Sequence, residues 1–137
     1  MDLFPRYQDA IPVITTGQMI EVDRAMMEDY GIDLIQMMEN AGRSLAYLAR
    51  HRFLAGDPRS KQVVVLAGPG GNGGGALVCA RRLHNYGAQV QVVISRPSEA
   101  FAPVPAHQLD ILRRMDITVV QAKSVEQVSP PALIIDG

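Results

Sequence analysis

A glycine-rich run is the part of this sequence whose residue types could do chemistry. Six of the eight residues at positions 68–75 are glycines, and the run follows a short β-branched segment. Glycines tolerate positive φ angles and let a ligand approach the backbone, and the amides at the start of a following helix attract negative charge. We therefore predict a phosphate-binding turn. The alternative is a tight turn that serves only helix–sheet packing, although packing needs one or two glycines rather than six.

Two details separate this run from the standard nucleotide-binding fingerprints. Gly68, Gly70 and Gly73 satisfy the pattern G-x-G-x-x-G, but Pro69 lies inside it. The acidic residue that would bind a ribose hydroxyl at the end of the next strand is replaced by Ser95-Arg96-Pro97. A Walker A loop is excluded because no Lys-Ser or Lys-Thr pair follows the glycines. A nicotinamide-dependent oxidoreductase, which needs a ribose-binding carboxylate after the second strand, is therefore the least favoured function.

The elements that must position the turn follow an alternating pattern of strands and helices. Short β-branched runs are typical of strands buried on both faces, whereas apolar residues every three or four positions indicate helices. The predicted strands are 63–67, 90–94, 117–120 and 133–135, and the predicted helices start at caps Thr15 and Asp33 and span 77–86 and 106–115. This order predicts a Rossmann-like, three-layer α/β/α sandwich with a mostly parallel sheet that stops after its fourth strand. Residues 1–14 are predicted to be an extended lead-in, and residues 15–137 the α/β domain.

Composition narrows the class of protein. With 137 residues, of which 47% are hydrophobic, the chain can form one core, and its formal charge of −1 does not suggest a nucleic-acid groove or a basic membrane anchor. Cys79 is the only cysteine, so an intrachain disulfide is excluded and a reducing compartment is favoured. No basic segment followed by an apolar run opens the chain, and no stretch is long enough to span a membrane. We expect a cytoplasmic protein.

Two motifs resemble those of a known family. The residues from Gly68 to Gly74, with Leu77-Val78 and Ala80-Arg81, resemble the signature G-P-G-N-N-G-G-D-G-L-V-x-A-R of the NAD(P)H-hydrate epimerases, the YjeF N-terminal domain family. Glu39-Asn40-Ala41-Gly42 is similar to the M-E-N-A-G motif of the same family, and Gln18, Met19 and Asp23 match the helix before it. The resemblance covers the chain from Thr15 onwards.

The resemblance implies a substrate, a reaction and a cation. The substrate would be hydrated NADH or NADPH, and the reaction would interconvert the epimers at the hydroxyl-bearing C6 of the nicotinamide ring. It implies substrate binding by Gly71, Asn72, Gly73, Gly74 and Gly75, and potassium binding by Asn72 and Asp136. We hypothesise that Asp136 also assists loss and re-addition of the ring hydroxyl, because a carboxylate at a strand's C-terminal end is placed for acid–base work. In bifunctional members, a dehydratase domain follows.

The chain departs from the family pattern at several positions. Gly71 and Gly75 replace an asparagine and an aspartate, and Ala76 replaces a glycine, so two polar groups are missing. The segment that follows Asp136-Gly137 in the family is absent from this sequence. Either the sequence is a fragment of a longer protein, or a shortened domain covers an exposed strand edge with a partner chain, as in a homodimer. A non-catalytic nucleotide-binding or dimerisation module of the same fold is the alternative function.

Other polar residues carry weaker signals. Glu39 and Asn40 lie together on a helix and could reach the rim of the site, or could simply form a polar helix face. Arg96 could contact a 2′-phosphate or be a solvated loop cation. The three histidines lack metal-ligand spacing, and Cys79 is predicted to be a small core residue.

Overall fold

The computed structural model describes residues 8–124 and 130–137. In chain order the helices are α1 (Thr16–Arg24), α2 (Leu34–Leu48), α3 (Gly71–Asn85) and α4 (Pro103–Arg114), and the strands are β1 (Gln62–Ala67), β2 (Gln89–Ile94), β3 (Thr118–Gln121) and β4 (Leu133–Asp136). The strands form one parallel sheet in the order β3-β2-β1-β4. The predicted Rossmann-like α/β class with a parallel sheet is confirmed. The division of the chain into lead-in and domain stays a prediction, and residues 1–7 lie outside the described part.

The first two helices start where the sequence indicates. The Gln18 amide donates to the Thr15 hydroxyl at 3.2 Å, and the Thr15 amide donates to the Gln18 side chain at 2.8 Å, which completes the predicted capping box. The Asp33 amide makes the equivalent bond to the Gln36 side chain at 2.8 Å. Each helix continues into a π-helical segment, Ala25–Asp29 after α1 and Ala49–Phe53 after α2.

The last two helices start earlier than predicted. The predicted α3 began at residue 77, but the helix starts at Gly71 and contains five of the residues assigned to the turn. The predicted α4 began at residue 106, but it starts at Pro103 and includes Pro105. Proline is tolerated in a first helical turn because the amides there have no intrahelical partner.

The main core lies between the helices and one face of the sheet. Val63, Val65 and Ala67 of β1 belong to one buried cluster with residues of α2, α3 and α4, including Ala46, Leu77, Leu83, Leu109 and Leu112. Helix α3 packs on β1 and β2, with α2 and α4 on either side of it. Because side chains alternate along a strand, Leu66 and Ile134 lie on the opposite face, where their exposed fractions are 37% and 58%. Residues of α2, α3 and α4 all belong to the core cluster on the first face.

None of the described helices is both long and apolar enough to cross a membrane.

Candidate functional site

The glycine turn joins the central strand to the N-terminus of α3. Gly70 is the N-cap, and the first intrahelical bond runs from the Gly74 amide to the Gly70 carbonyl at 3.0 Å. The amides of Gly71, Asn72 and Gly73 have no acceptor among the described residues. Such free amides, together with the helix dipole, make this end of α3 suitable for an anion.

Strand β4 is bonded directly to the turn. The Gly68 amide donates to the Gly137 carbonyl at 2.7 Å, and the Gly137 amide donates to the Leu66 carbonyl at 3.0 Å. These bonds extend the β1–β4 ladder beyond the strands, so Asp136 is held beside the turn. A Cβ atom on Gly137 would lie 2.5 Å from Ala76 Cβ and 2.9 Å from the Asn72 carbonyl oxygen, which shows how closely β4 approaches α3.

Two cavities meet at the end of β4. One, of about 280 Å³, lies between α2, α3 and β4 and is lined by Gly71, Asn72, Gly75 and Asp136. The other, of about 290 Å³, extends from Asp136 past Gly68 to Ser95 at the end of β2. Both lie at the carboxyl ends of parallel strands, between β1 and β4, where open α/β sheets bind ligands. The structure therefore brings the predicted residues Asn72 and Asp136 to one cavity.

The glycines of the turn fall into two groups. A Cβ atom on Gly73 would lie 1.9 Å from the Gly68 carbonyl oxygen, and one on Gly74 would lie 2.4 Å from the Met38 side chain. A Cβ atom on Gly71 or Gly75 would meet nothing within 4 Å, and both residues line the cavity. Packing thus accounts for Gly73 and Gly74 but not for Gly71 and Gly75.

The glycines of this run do not use the positive φ angles that glycine tolerates. The glycines with positive φ in the described residues are Gly31, Gly56 and Gly87, all outside the turn. Gly31 and Gly87 lie just past helical segments, where a positive φ ends a helix. In the turn itself, Gly73 and Gly74 are required because neighbouring atoms leave no room for a Cβ atom.

Comparison with known proteins decides the family. Residues 34–137 match the family described as YjeF-related protein N-terminus. The chain belongs to this family. Among solved structures, the chain is similar to the yeast protein ynu0, with a TM-score of 0.72 at 31% identity, over 85% of this chain and 49% of the yeast chain.

Curated relatives carry names that agree with the family. The chain is 41% identical to the bifunctional NAD(P)H-hydrate repair enzyme Nnr of Salinibacter ruber, over 92% of this chain and 26% of that protein. It is 40% identical to the NAD(P)H-hydrate epimerase of Dehalogenimonas lykanthroporepellens, over 88% of this chain and 46% of that protein. The chain thus spans about a quarter to a half of the length of these relatives.

The donor atoms at the site are oxygens, which suit a hard cation better than a soft transition metal. Asn72 and Asp136 supply amide and carboxylate oxygens to the same cavity, and both residues are exposed. Within the described part of the chain, no three His, Cys, Asp or Glu residues come together as a metal site. His51 stacks near Tyr47, with ring centroids 4.3 Å apart, and His84 and His107 line cavities elsewhere. Potassium, which the sequence resemblance implies, fits the two oxygen donors.

Glu39 has a position that sequence reasoning did not find. Its carboxylate pairs with the Arg81 guanidinium, accepts from Arg82 Nη2 at 3.0 Å, and lies 3.4 Å from Gln108 Nε2. It therefore joins α2 to α3 and α4, and it does not line the cavity between α2, α3 and β4. Its neighbour Asn40 is exposed. The polar partners lie far away in sequence, so only the signature arginine at position 81 could have hinted at this contact.

Cys79 lies on a buried face of α3, in the main core. Its side chain is fully buried, and burial raises the pKa of the thiol to about 12, since the thiolate would lose its hydration. The predicted role as a small core residue agrees with this position, and the thiol is not a nucleophile at neutral pH.

Proposed function

We propose that this chain supplies the phosphate-binding turn and the acid–base carboxylate of a site that epimerises hydrated NADH or NADPH at C6. The observation that carries the proposal is the convergence of free α3 amides, Asn72 and Asp136 on one cavity at the switch point of the sheet. The names of the relatives, NAD(P)H-hydrate epimerase and NAD(P)H-hydrate repair enzyme, support the same chemistry. Because the chain spans only part of those relatives, its own activity is part of the proposal.

The phosphates of the substrate would bind at the start of α3. The free amides of Gly71, Asn72 and Gly73 can donate to phosphate oxygens, and the absence of side chains at Gly71 and Gly75 leaves the cavity open. Gly73 and Gly74 contribute by letting the helix start close to Gly68 and Met38. Charge-assisted hydrogen bonds of this kind are roughly twice as strong as neutral ones.

Asp136 would donate a proton in the first step of the reaction and accept one in the second. The lone pair of the ring nitrogen forms a C=N bond to C6 as the C6–O bond breaks, and the hydroxyl leaves as water with a proton from the Asp136 carboxyl group. Water then adds to either face of C6 and returns a proton to the carboxylate, which yields either epimer. Asp136 is exposed, and its carboxylate has no hydrogen-bond or ion-pair partner among the described residues, so it is free for this exchange.

Asn72 and Asp136 would also hold potassium. Its positive charge would offset the negative charge of the substrate phosphates. The site would work alongside a dehydratase, which in bifunctional relatives is part of the same chain. A homodimer and a cytoplasmic location stay predictions.

The test follows a single epimer of hydrated NADPH in the presence of potassium. We expect the chain to bring the two epimers to equilibrium faster than buffer alone, as separated by liquid chromatography. Asp136→Asn should slow this by about 100-fold or more, which is the usual contribution of a general acid–base group. Asp110→Asn removes another exposed carboxylate, on α4, and should leave the rate unchanged. A rate no faster than buffer, or equal rates for the two variants, would contradict the proposal.

A second candidate function is a nucleotide-binding or dimerisation module without catalysis. Gly71 and Gly75 replace the asparagine and the aspartate of the family signature, and both positions open into the cavity. The cavity therefore lacks two polar side chains, which favours binding without catalysis. A Cβ atom at Gly75 would meet nothing within 4 Å, so Gly75→Asp is a suitable substitution with which to restore the signature carboxylate. A chain that binds NADP⁺ but does not accelerate epimerisation would support the binding module. If Gly75→Asp then left the rate at the buffer value, the loss of the signature aspartate at position 75 would not explain the inactivity.

A further inference from the structure

The cavity beside Asp136 extends to the end of a second strand. Ser95 directly follows β2, and its amide donates to the Ala67 carbonyl at 3.1 Å, so the ends of β1 and β2 are joined next to the turn. Ser95 and Asp136 line the same 290 Å³ cavity, and their strands, β2 and β4, lie on either side of β1. A ligand whose phosphates lie on α3 therefore has Asp136 on one side and the end of β2 on the other.

On a parallel sheet of this kind, the residues after β2 select the ribose. A carboxylate there accepts from a free 2′-hydroxyl, whereas an arginine accommodates a 2′-phosphate. This chain has Ser95-Arg96-Pro97 at that place. The first carboxylate after it, Glu99, lies in the next helical turn and accepts from the Ser98 hydroxyl at 3.4 Å.

Arg96 is the cation of this loop that has no partner. It is exposed, and none of the described residues forms an ion pair or hydrogen bond with its guanidinium. A second cation lies beside the same loop, because Arg113 Nη2 donates to the Ser98 hydroxyl at 3.3 Å. Pro97 holds the backbone after Arg96 in an extended conformation, with φ −55° and ψ 149°. A planar guanidinium with free donors suits bidentate binding of a phosphate.

We infer that Arg96 is a specificity-determining residue that binds the 2′-phosphate of the substrate, so that the site favours the NADPH hydrate over the NADH hydrate. This inference rests on the proposed function, because it requires the nucleotide phosphates to lie at the start of α3. It adds the orientation of the substrate: the nicotinamide end lies toward Asp136 on β4, and the adenosine end lies toward Arg96 after β2.

The test compares two unreactive nucleotides by isothermal titration calorimetry. The unmodified chain should bind NADP⁺ about tenfold more tightly than NAD⁺, the difference expected for one charge-assisted contact with a phosphate. Arg96→Ala should remove this preference by weakening NADP⁺ binding alone, and Arg96→Lys should restore part of it. Arg52→Ala is the matched control, since Arg52 is also exposed and unpartnered among the described residues. It should change neither affinity.

The outcomes separate this inference from the proposed function. Equal binding of NADP⁺ and NAD⁺, or equal weakening of both by Arg96→Ala, would overturn the role of Arg96 and leave the nucleotide site standing. Weakening of NADP⁺ binding by Arg52→Ala to the same extent would overturn it too, because a general charge effect would then explain the preference. Failure of both nucleotides to bind would overturn the inference and the proposed function together.

Discussion

Single glycines in the turn have different reasons to be glycine. At Gly73 the neighbouring Gly68 backbone occupies the place of a side chain, whereas at Gly75 the space is open. The sequence predicted a ligand-binding turn from the number of glycines, but the number does not reveal which of them are required for packing. That distinction depends on Gly68 and Met38, which contact the helix from other elements. The anion-binding amides followed from the order of strand, turn and helix, whereas Asn72 and Asp136 were assigned to one site by the family resemblance.

Two alanine substitutions should therefore have opposite effects on stability. Gly73→Ala places a methyl group against rigid backbone and should lower the free energy of unfolding by about 1–3 kcal/mol. Gly75→Ala adds no clash inside a helix and should raise it by up to about 1 kcal/mol, because alanine loses less backbone entropy than glycine. Urea denaturation followed by circular dichroism measures both. Similar values for the two variants would show that the packing difference is not significant.

At the level of elements, a carboxylate bonded to two arginines holds the helices together. Glu39 on α2 contacts Arg81 and Arg82 on α3, and all three side chains are at most 31% exposed. Close packing supports this contact, because a Cβ atom on Gly42 would lie 2.4 Å from Val78 Cβ. The α2 wall of the cavity is thereby fixed against the start of α3.

Removing the charge of Glu39 should destabilise the chain. Glu39→Gln leaves two partly buried guanidinium groups without their counter-charge and should lower the free energy of unfolding by about 1–3 kcal/mol. The matched control is Glu21→Gln on α1, where the ion pair with Arg24 is exposed and should contribute nothing measurable. Chemical denaturation of both variants tests this. A loss of stability in Glu21→Gln as large as in Glu39→Gln would argue against a special role for Glu39.

The first residue of a helix was predictable where a nearby capping residue determines it. The caps at Thr15 and Asp33 involve residues three positions apart, and both are found as predicted. The start of α3 was missed because glycine is a poor helix former, and packing against Gly68 and Met38 overrides that preference. The contacts of Glu39 were missed for a similar reason, since its partners come from other helices.

For the whole molecule, the buried Cys79 thiol couples stability to alkaline pH. Burial raises its pKa from 9.0 to about 12, so between these values the unfolded chain loses a proton that the folded chain keeps. Stability from this group is complete below pH 9 and falls as the pH rises toward 12, by about 1.4 kcal/mol per pH unit. The pH dependence of urea unfolding should therefore be steeper for the unmodified chain than for Cys79→Ala. Parallel curves for the two proteins would contradict this, whatever their absolute stabilities.

The bond between Gly68 and Gly137 has a consequence for the order of folding. The turn is synthesised long before Gly137, and the intervening β2, α4 and β3 are joined mainly to their neighbours in the sequence. Pairing of β4 with β1 is the most distant contact in the sheet, and such contacts close late because a long loop must be ordered first. Among the described elements, the cavity beside Asp136 is therefore complete only once β4 has paired with β1, whereas the contacts among α2, α3 and α4 need no segment beyond residue 114.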